Sequence, residues 1–343
     1  MKQLLLLLGI IVPQYFFAQE IYRTTSQGKN YGNGSNYVAP IVTKTYQGYV
    51  APRTSSATYK TTYSTSNNNA YKPATSSNNN NSNSPHTILP NSAEYFSVRG
   101  NEKADKNDFK GALGDFNKAI QLDAKDADVY YDRGSVKLEI DDYAGALADF
   151  KTAVVLNPTF AMAYATLGML QMQNDENTEA IQQFNKAIQF SPDYYATHYG
   201  RAMAKEKMRD YAGAIADYTT AIALKPNYTI AYKKRGAVKA ELEDNAGAML
   251  DYNKAIELDG KDDDVYCLRA LLKQTLEDYS GSEKDLSNAI ELNSKNSFAY
   301  YLRGMARFIS NDKQGGCEDF HKAASLGYIA DKEINEMVKK HCD

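Results

Sequence analysis

From Ala93 to Ala330 the chain repeats itself every 34 residues, seven times over, and that period limits the fold more than any other feature. With Ala93, Ala127, Ala161, Tyr195, Thr229, Asp263 and Ser297 as first positions, position 27 is alanine in every copy, from Ala119 to Ala323. Position 8 is small throughout (Gly100, Gly134, Gly168, Ala202, Gly236, Ala270, Gly304), and so is position 20. Position 24 is bulky (Phe116, Phe150, Phe184, Tyr218, Tyr252, Leu286, Phe320), and position 4 is aromatic, with His198 standing in once. Large residues facing small ones at these offsets describe two antiparallel helices in close contact. An acid at position 16 marks the turn between them, and Pro158, Pro192 and Pro226 at position 32 end three of the second helices. A hairpin this short cannot bury its apolar face alone, so the copies must stack and their ends must be capped.

The pattern of an aromatic, then Gly, Ala, an aromatic, Ala and Pro at these offsets resembles the tetratricopeptide repeat family. That resemblance implies an all-α fold: a right-handed superhelical α-solenoid of seven helix-turn-helix hairpins, 93–126, 127–160, 161–194, 195–228, 229–262, 263–296 and 297–330. Tryptophan is missing from the chain, and tyrosine fills the first aromatic slot. Asn91 is expected to cap the first helix, with Glu94 closing a capping box. Residues 331–343 read as a capping helix that turns Ile334, Val338, His341 and Cys342 inward.

Before the repeats, the composition changes. Lys2, the apolar run Leu4–Val12, Pro13 and Ala18 read as a cleavable secretory signal over residues 1–18, too short for a span of about 20 residues. The expectation is an exported protein, periplasmic or extracellular, with no stable membrane insertion after cleavage. Residues 19–92 are rich in Asn, Ser, Thr and Tyr and poor in aliphatics, so they cannot offset chain entropy and read as a disordered tail. Two near-copies in that tail, Tyr37–Pro40 and Tyr49–Pro52, are either short docking motifs or chance similarity in a biased segment. Residues 1–92 hold seven Lys/Arg against Glu20 alone, in a chain of net charge −3, so the repeats are acidic. An acidic body lacks the clustered cations that nucleic acid requires, and no nucleic-acid partner is expected.

Three charged positions recur together. Position 7 is Arg99, Arg133, Arg201, Arg235, Arg269 and Arg303; position 11 is Lys or Arg; position 23 is Asp115, Asp149, Asp217, Asp251, Asp285 and Asp319. Only the third copy departs, and it departs at all three, with Leu167, Gln171 and Gln183. Two cations one helical turn apart repel unless an acid sits between them. The acid of the second helix is therefore expected to clip the hairpin, as in Arg133, Lys137 and Asp149, in Arg201, Lys205 and Asp217, and in Arg235, Lys239 and Asp251.

By the same resemblance, positions 2, 5, 9 and 12 of the first helices line a groove for a protein or peptide partner. Those positions supply Tyr131, Leu138, Met162, Met169, Met172, Tyr199, Met203, Leu271, Phe298, Tyr301, Met305 and Phe308. Such a Met- and Tyr-rich stripe either repacks around an apolar peptide or helix or packs the hairpins against one another. Some members of the family hold a terminal carboxylate with Lys and Asn at positions 5 and 9 of successive repeats; here those positions offer Ser97 and Asn101, then Tyr131 and Ser135, then Ala165 and Met169, so that clamp is not formed.

Cys317 takes an aliphatic position in the last copy and should face the capping helix, so it pairs with Cys342 in one reading. Two free thiols, or a zinc site with His321 and His341, are the alternatives. Cys267 reads as a small apolar liner and His198 as a packing residue. No phosphate loop, metal-binding helix motif or nucleophile elbow is present, so neither catalysis, cofactor nor metal is expected. The expected function is a non-catalytic scaffold of the cell envelope that binds an apolar segment in the groove. Its alternatives are an assembly component docked through the tail and a cell-wall-associated scaffold.

Overall fold

A computed structural model describes residues 89–328 and 332–342; the expected signal, almost all of the tail and its two near-copies lie outside them. Among the described residues there are fifteen helices and no strand. They fall into two compact units, divided between Arg209 and Asp210. The first unit holds α1 (Ala93–Asp105), α2 (Phe109–Leu122), α3 (Ala127–Glu139), α4 (Tyr143–Leu156), α5 (Ala161–Gln173), α6 (Asn177–Phe190) and α7 (Tyr195–Lys207). The second holds α8 (Tyr211–Leu224), α9 (Thr229–Glu241), α10 (Asn245–Leu258), α11 (Asp263–Thr275), α12 (Tyr279–Leu292), α13 (Ser297–Ile309), α14 (Lys313–Ser325) and α15 (Lys332–Cys342). Within each unit, every helix packs on the next, and the hairpins form a stack.

The turn inside each hairpin is built the same way. Position 15 adopts left-handed backbone in all seven copies, from Asn107 (φ 61°) to Asn311 (φ 74°), although none is glycine. The position 16 acid then caps the second helix: the amide of Gly111 donates to Asp108 Oδ1 at 3.0 Å, and that of Gly247 to Asp244 Oδ1 at 2.9 Å. Glycine stands three residues on because a Cβ there would run into the capping carboxylate. Glu176, in the third copy, makes no such side-chain cap.

Second helices stop at the same place whether or not a proline follows. Leu122, Leu258 and Leu292 end theirs without it. In four copies the stop is an Asx turn at position 31, where Asp123, Asn157, Asp259 and Asn293 accept the amide two residues on, at 2.9–3.2 Å. At the N-terminus Ser92, not Asn91, is the cap: its Oγ accepts from the Tyr95 amide at 3.0 Å, while Asn91 takes left-handed backbone before it. A left-handed residue cannot hold the extended geometry of an N-cap, which moves the cap one place along.

The core is the set of position 24 side chains. Phe116, Phe150, Phe184, Tyr218, Tyr252 and Leu286 are fully buried, and Phe320 nearly so. Gly236 lets Tyr252 in: a Cβ there would lie 2.9 Å from Tyr252 Cε1. Among the described residues no helix is long and apolar enough to cross a membrane.

Candidate functional site

The three recurring charges meet as an ion-paired clip. Arg133 places Nε 2.9 Å from Asp149 Oδ2 and Nη2 2.6 Å from Oδ1, and Lys137 Nζ reaches Oδ2 at 2.8 Å. The same geometry holds for Arg235 and Lys239 on Asp251, Arg269 and Lys273 on Asp285, and Arg99 and Lys103 on Asp115. In the last copy Arg307 replaces lysine and shares itself between Asp319 and Glu283. Arg201 and Lys205 belong to the first unit and Asp217 to the second. The hydrogen bond from Arg99, with help from Lys103, holds the Asp115 carboxyl down at about 2, against the desolvation that opposes it.

The arginines of the second, fifth, sixth and seventh hairpins do two further things that the sequence pattern did not announce. The guanidinium lies over the position 4 tyrosine, 5.4 Å from the Tyr130 ring centre for Arg133 and 5.6 Å from Tyr232 for Arg235. Nη1 also reaches back to position 25 of the preceding hairpin: Arg133 to Asn117 Oδ1 at 2.7 Å, Arg269 to Asn253 Oδ1 at 2.7 Å. One side chain thus joins both helices of its own hairpin and ties that hairpin to its neighbour.

The residues expected to line an open groove are mostly interior. Tyr131, Met162, Met169, Met172, Tyr199, Leu271, Phe298 and Met305 are each at most 9% exposed. Tyr131 packs between the rings of Phe150 at 5.3 Å and Phe160 at 5.0 Å, and Met169 and Met172 pack around Phe184. The reason is that position 24 and the following hairpin close over positions 5 and 9, so these side chains join the hairpins to one another. Leu138, Met203, Tyr301 and Phe308 keep partial exposure. Tyr301 stacks on Tyr328 at 4.4 Å.

At the C-terminal end Cys317 and Cys342 are joined as a disulfide, with Cα atoms 5.3 Å apart. Val338 and Cys342 of α15 pack on Met305 and Phe320, and His341 lies edge-on to Phe308. His321 is exposed. His198 is buried with Nε2 2.7 Å from the Pro192 carbonyl oxygen. Cys267 is fully buried beside Asn296 Nδ2 at 3.6 Å, and burial, with Asp264 and Asp263 nearby, pushes its thiol well above the usual range. Asp262, Asp263 and Asp264 bring three carboxylates together, but Lys233 Nζ already sits 2.7 Å from Asp262 Oδ2 and 3.8 Å from Asp264 Oδ2. The amides of Asn293 and Asn296 donate to Asp263. Lys233 and the two side-chain amides thus offset part of this group's charge within the fold.

The third hairpin is where the pattern opens. Without the arginine, a pocket of about 380 Å³ lies among α4, α5 and α6, with Tyr164, Leu167, Gln171 and Gln183 on its walls and Lys151 and Lys186 beside it.

Known families account for this arrangement. The family profile described as TPR repeat matches residues 100–141, and that described as tetratricopeptide repeat matches 131–195 and 199–263. Among solved structures, the chain is similar to a tetratricopeptide repeat protein from Parabacteroides merdae ATCC 43184, at 18% identity and TM-score 0.54, covering 73% of this chain and 99% of that one. It is also similar to the C-terminal part of a TPR repeat-containing protein from Cytophaga hutchinsonii, at 17% identity and TM-score 0.57, covering 69% and 98%. A third, YrrB, a TPR protein with an unusual peptide-binding site, is 22% identical with TM-score 0.48, covering 54% and 95%. No curated protein matches the chain.

Proposed function

Because the chain is a tetratricopeptide repeat protein, we propose that it is a non-catalytic scaffold that binds a protein or peptide partner in the cell envelope. What carries the reading is the tandem array of hairpins matched by the family over 100–195 and 199–263. The ionisable residues that recur along the array are engaged in clips and caps that hold helices together, which supports a structural role for them. Export, cleavage after Ala18 and a periplasmic or extracellular site follow from the leader's order of charge, apolar run and small residue. Contact through the repeats would use the stripe residues that keep partial exposure, Leu138 and Met203 in the first unit and Tyr301 and Phe308 in the second.

Crosslinking of the full chain in an exporting bacterial host, read by mass spectrometry, tests this. The expected outcome is a mature N-terminus at Gln19 and a protein crosslinked through the repeats. An uncleaved chain would overturn the export reading, and crosslinks confined to residues 19–92 would favour an assembly component docked through its tail.

A further inference from the structure

The third hairpin keeps the position 4 tyrosine but has lost the side chain that elsewhere covers it. In the second, fifth, sixth and seventh hairpins the guanidinium lies over that ring while bonding the acid of its own second helix and position 25 of the hairpin before. Arg303 shows all three contacts, with Tyr300, Asp319 and Ser287. Leu167 can make none of them. The pocket of about 380 Å³ is the place the guanidinium vacates, and its size falls in the range of small-ligand sites, about 300–1,000 Å³.

The lining has changed sign as well as shape. Gln183 replaces the acid, so no carboxylate faces the pocket, and Lys151 takes the position 25 place held elsewhere by Asn, Thr, Ser or His. Lys186 supplies a second cation, with Nζ 5.1 Å from the Tyr164 ring centre. Gln171 is 9% exposed, and its Oε1 is buried with no hydrogen-bond partner, an acceptor left waiting for a donor. On the remaining side stand the aliphatic Val154 and Val155, the latter 77% exposed.

An occupant must therefore bring an anion for the lysines, an N–H for Gln171 and an apolar group for the valines. A peptide segment in which an acidic residue stands next to an aliphatic one carries all three: carboxylate, backbone amide and side chain. The chain's own residues 1–92, with seven cations and one acid, have the wrong charge for the place. We propose that the third hairpin docks such an acidic-aliphatic segment of a partner protein. The proposal rests on the protein-binding reading above and specifies where and by what chemistry one partner is held.

Random heptapeptides displayed on phage, selected against the full chain, test it with two variants. The first, Leu167→Arg with Gln171→Lys and Gln183→Asp, rebuilds the clip that the other hairpins carry and fills the pocket. The second, Lys151→Gln with Lys186→Gln, leaves it open and removes the charge. The expected result is enrichment of peptides with Asp or Glu beside Leu, Ile or Val, which bind the rebuilt variant at least about tenfold more weakly. The lysine variant should weaken binding several-fold and abolish its salt dependence. Selected peptides that bind the rebuilt variant equally would overturn the pocket while leaving the scaffold reading standing. Basic peptides lost on rebuilding would overturn it in favour of a guest guanidinium. Concentration-dependent self-association lost on rebuilding would assign the pocket to a second copy instead. No enrichment on the unaltered chain would count against both readings.

Discussion

Arg235 grips Asp251 with two parallel hydrogen bonds, Nε to Oδ2 at 2.9 Å and Nη2 to Oδ1 at 2.6 Å, and Asp251 is only 3% exposed. Lys239 completes the pairing at 2.8 Å. Exposed ion pairs contribute about 0.2–1 kcal/mol, but here removing the acid strands two cations against a desolvated site, which costs about 3 kcal/mol. Asp251→Asn should therefore lower the denaturation midpoint markedly, whereas Gln183→Asn, in the hairpin without a clip, should change stability by less than about 0.5 kcal/mol. Equal losses in urea titrations of the two variants would mean that the clip does not hold the hairpin.

The clip also sets the acid sensitivity of the first hairpin. Asp115 titrates at about 2 in the folded chain against about 4 when unfolded. Its contribution is therefore fully present above about pH 4 and is lost as pH falls through about 2, because the unfolded chain takes up the proton first. In Asp115→Asn the slope of stability against pH between these limits should be shallower. An unchanged slope would place the acid response elsewhere.

Two glycines make opposite predictions. Gly236→Ala puts a Cβ 2.9 Å from the fully buried ring of Tyr252, which cannot move aside, and should destabilise by about 1–3 kcal/mol. Gly114, exposed inside α2, has nothing within 4 Å of an added Cβ. Gly114→Ala should stabilise by about 0.5–1 kcal/mol. Thermal melts that move both variants in the same direction would contradict the close helix contact at position 8.

Glu277 takes left-handed backbone, φ 62°, in the turn between α11 and α12. L-residues other than Asn and Asp visit that region at a cost of about 1 kcal/mol, so Glu277→Gly should raise the melting temperature slightly despite the added freedom of the unfolded chain. A drop of several degrees would show that the glutamate side chain contributes something the backbone does not.

The Cys317–Cys342 bridge closes a loop over a sequence separation of 25, worth about 3 kcal/mol in the chain-entropy picture. Cys342→Ser should leave the stacked hairpins intact and speed hydrogen exchange selectively in α15. Uniform exchange changes throughout α8–α14 would mean that the bridge supports more than the terminal helix.

The repeat was legible because its constraints are local and written seven times. A small residue at position 8 requires a ring opposite it, and an acid at position 23 answers two cations one turn apart, so comparing copies exposes what one copy would hide. The choice of Asn91 as the first cap failed because a backbone dihedral, not a side-chain type, decides which of two adjacent capping residues does the work. The third copy's loss of its charges was equally plain in the sequence, but the pocket it opens was not. A missing guanidinium leaves space only if its neighbours do not collapse into it, and that depends on how the surrounding helices pack.

By itself, then, the sequence determined the helical hairpin, its period and its charge pairing, all of which follow from spacing along one or two helices. Tertiary structure alone decided which face of each first helix is covered. Positions 5 and 9 form a largely apolar stripe in the sequence, as a binding surface would. Tyr131 is buried between Phe150 and Phe160 of its own hairpin and shares a core cluster with Met162 and Ala163 of the next, so the stack claims that stripe first, because apolar area is removed from water by whichever surface lies nearest.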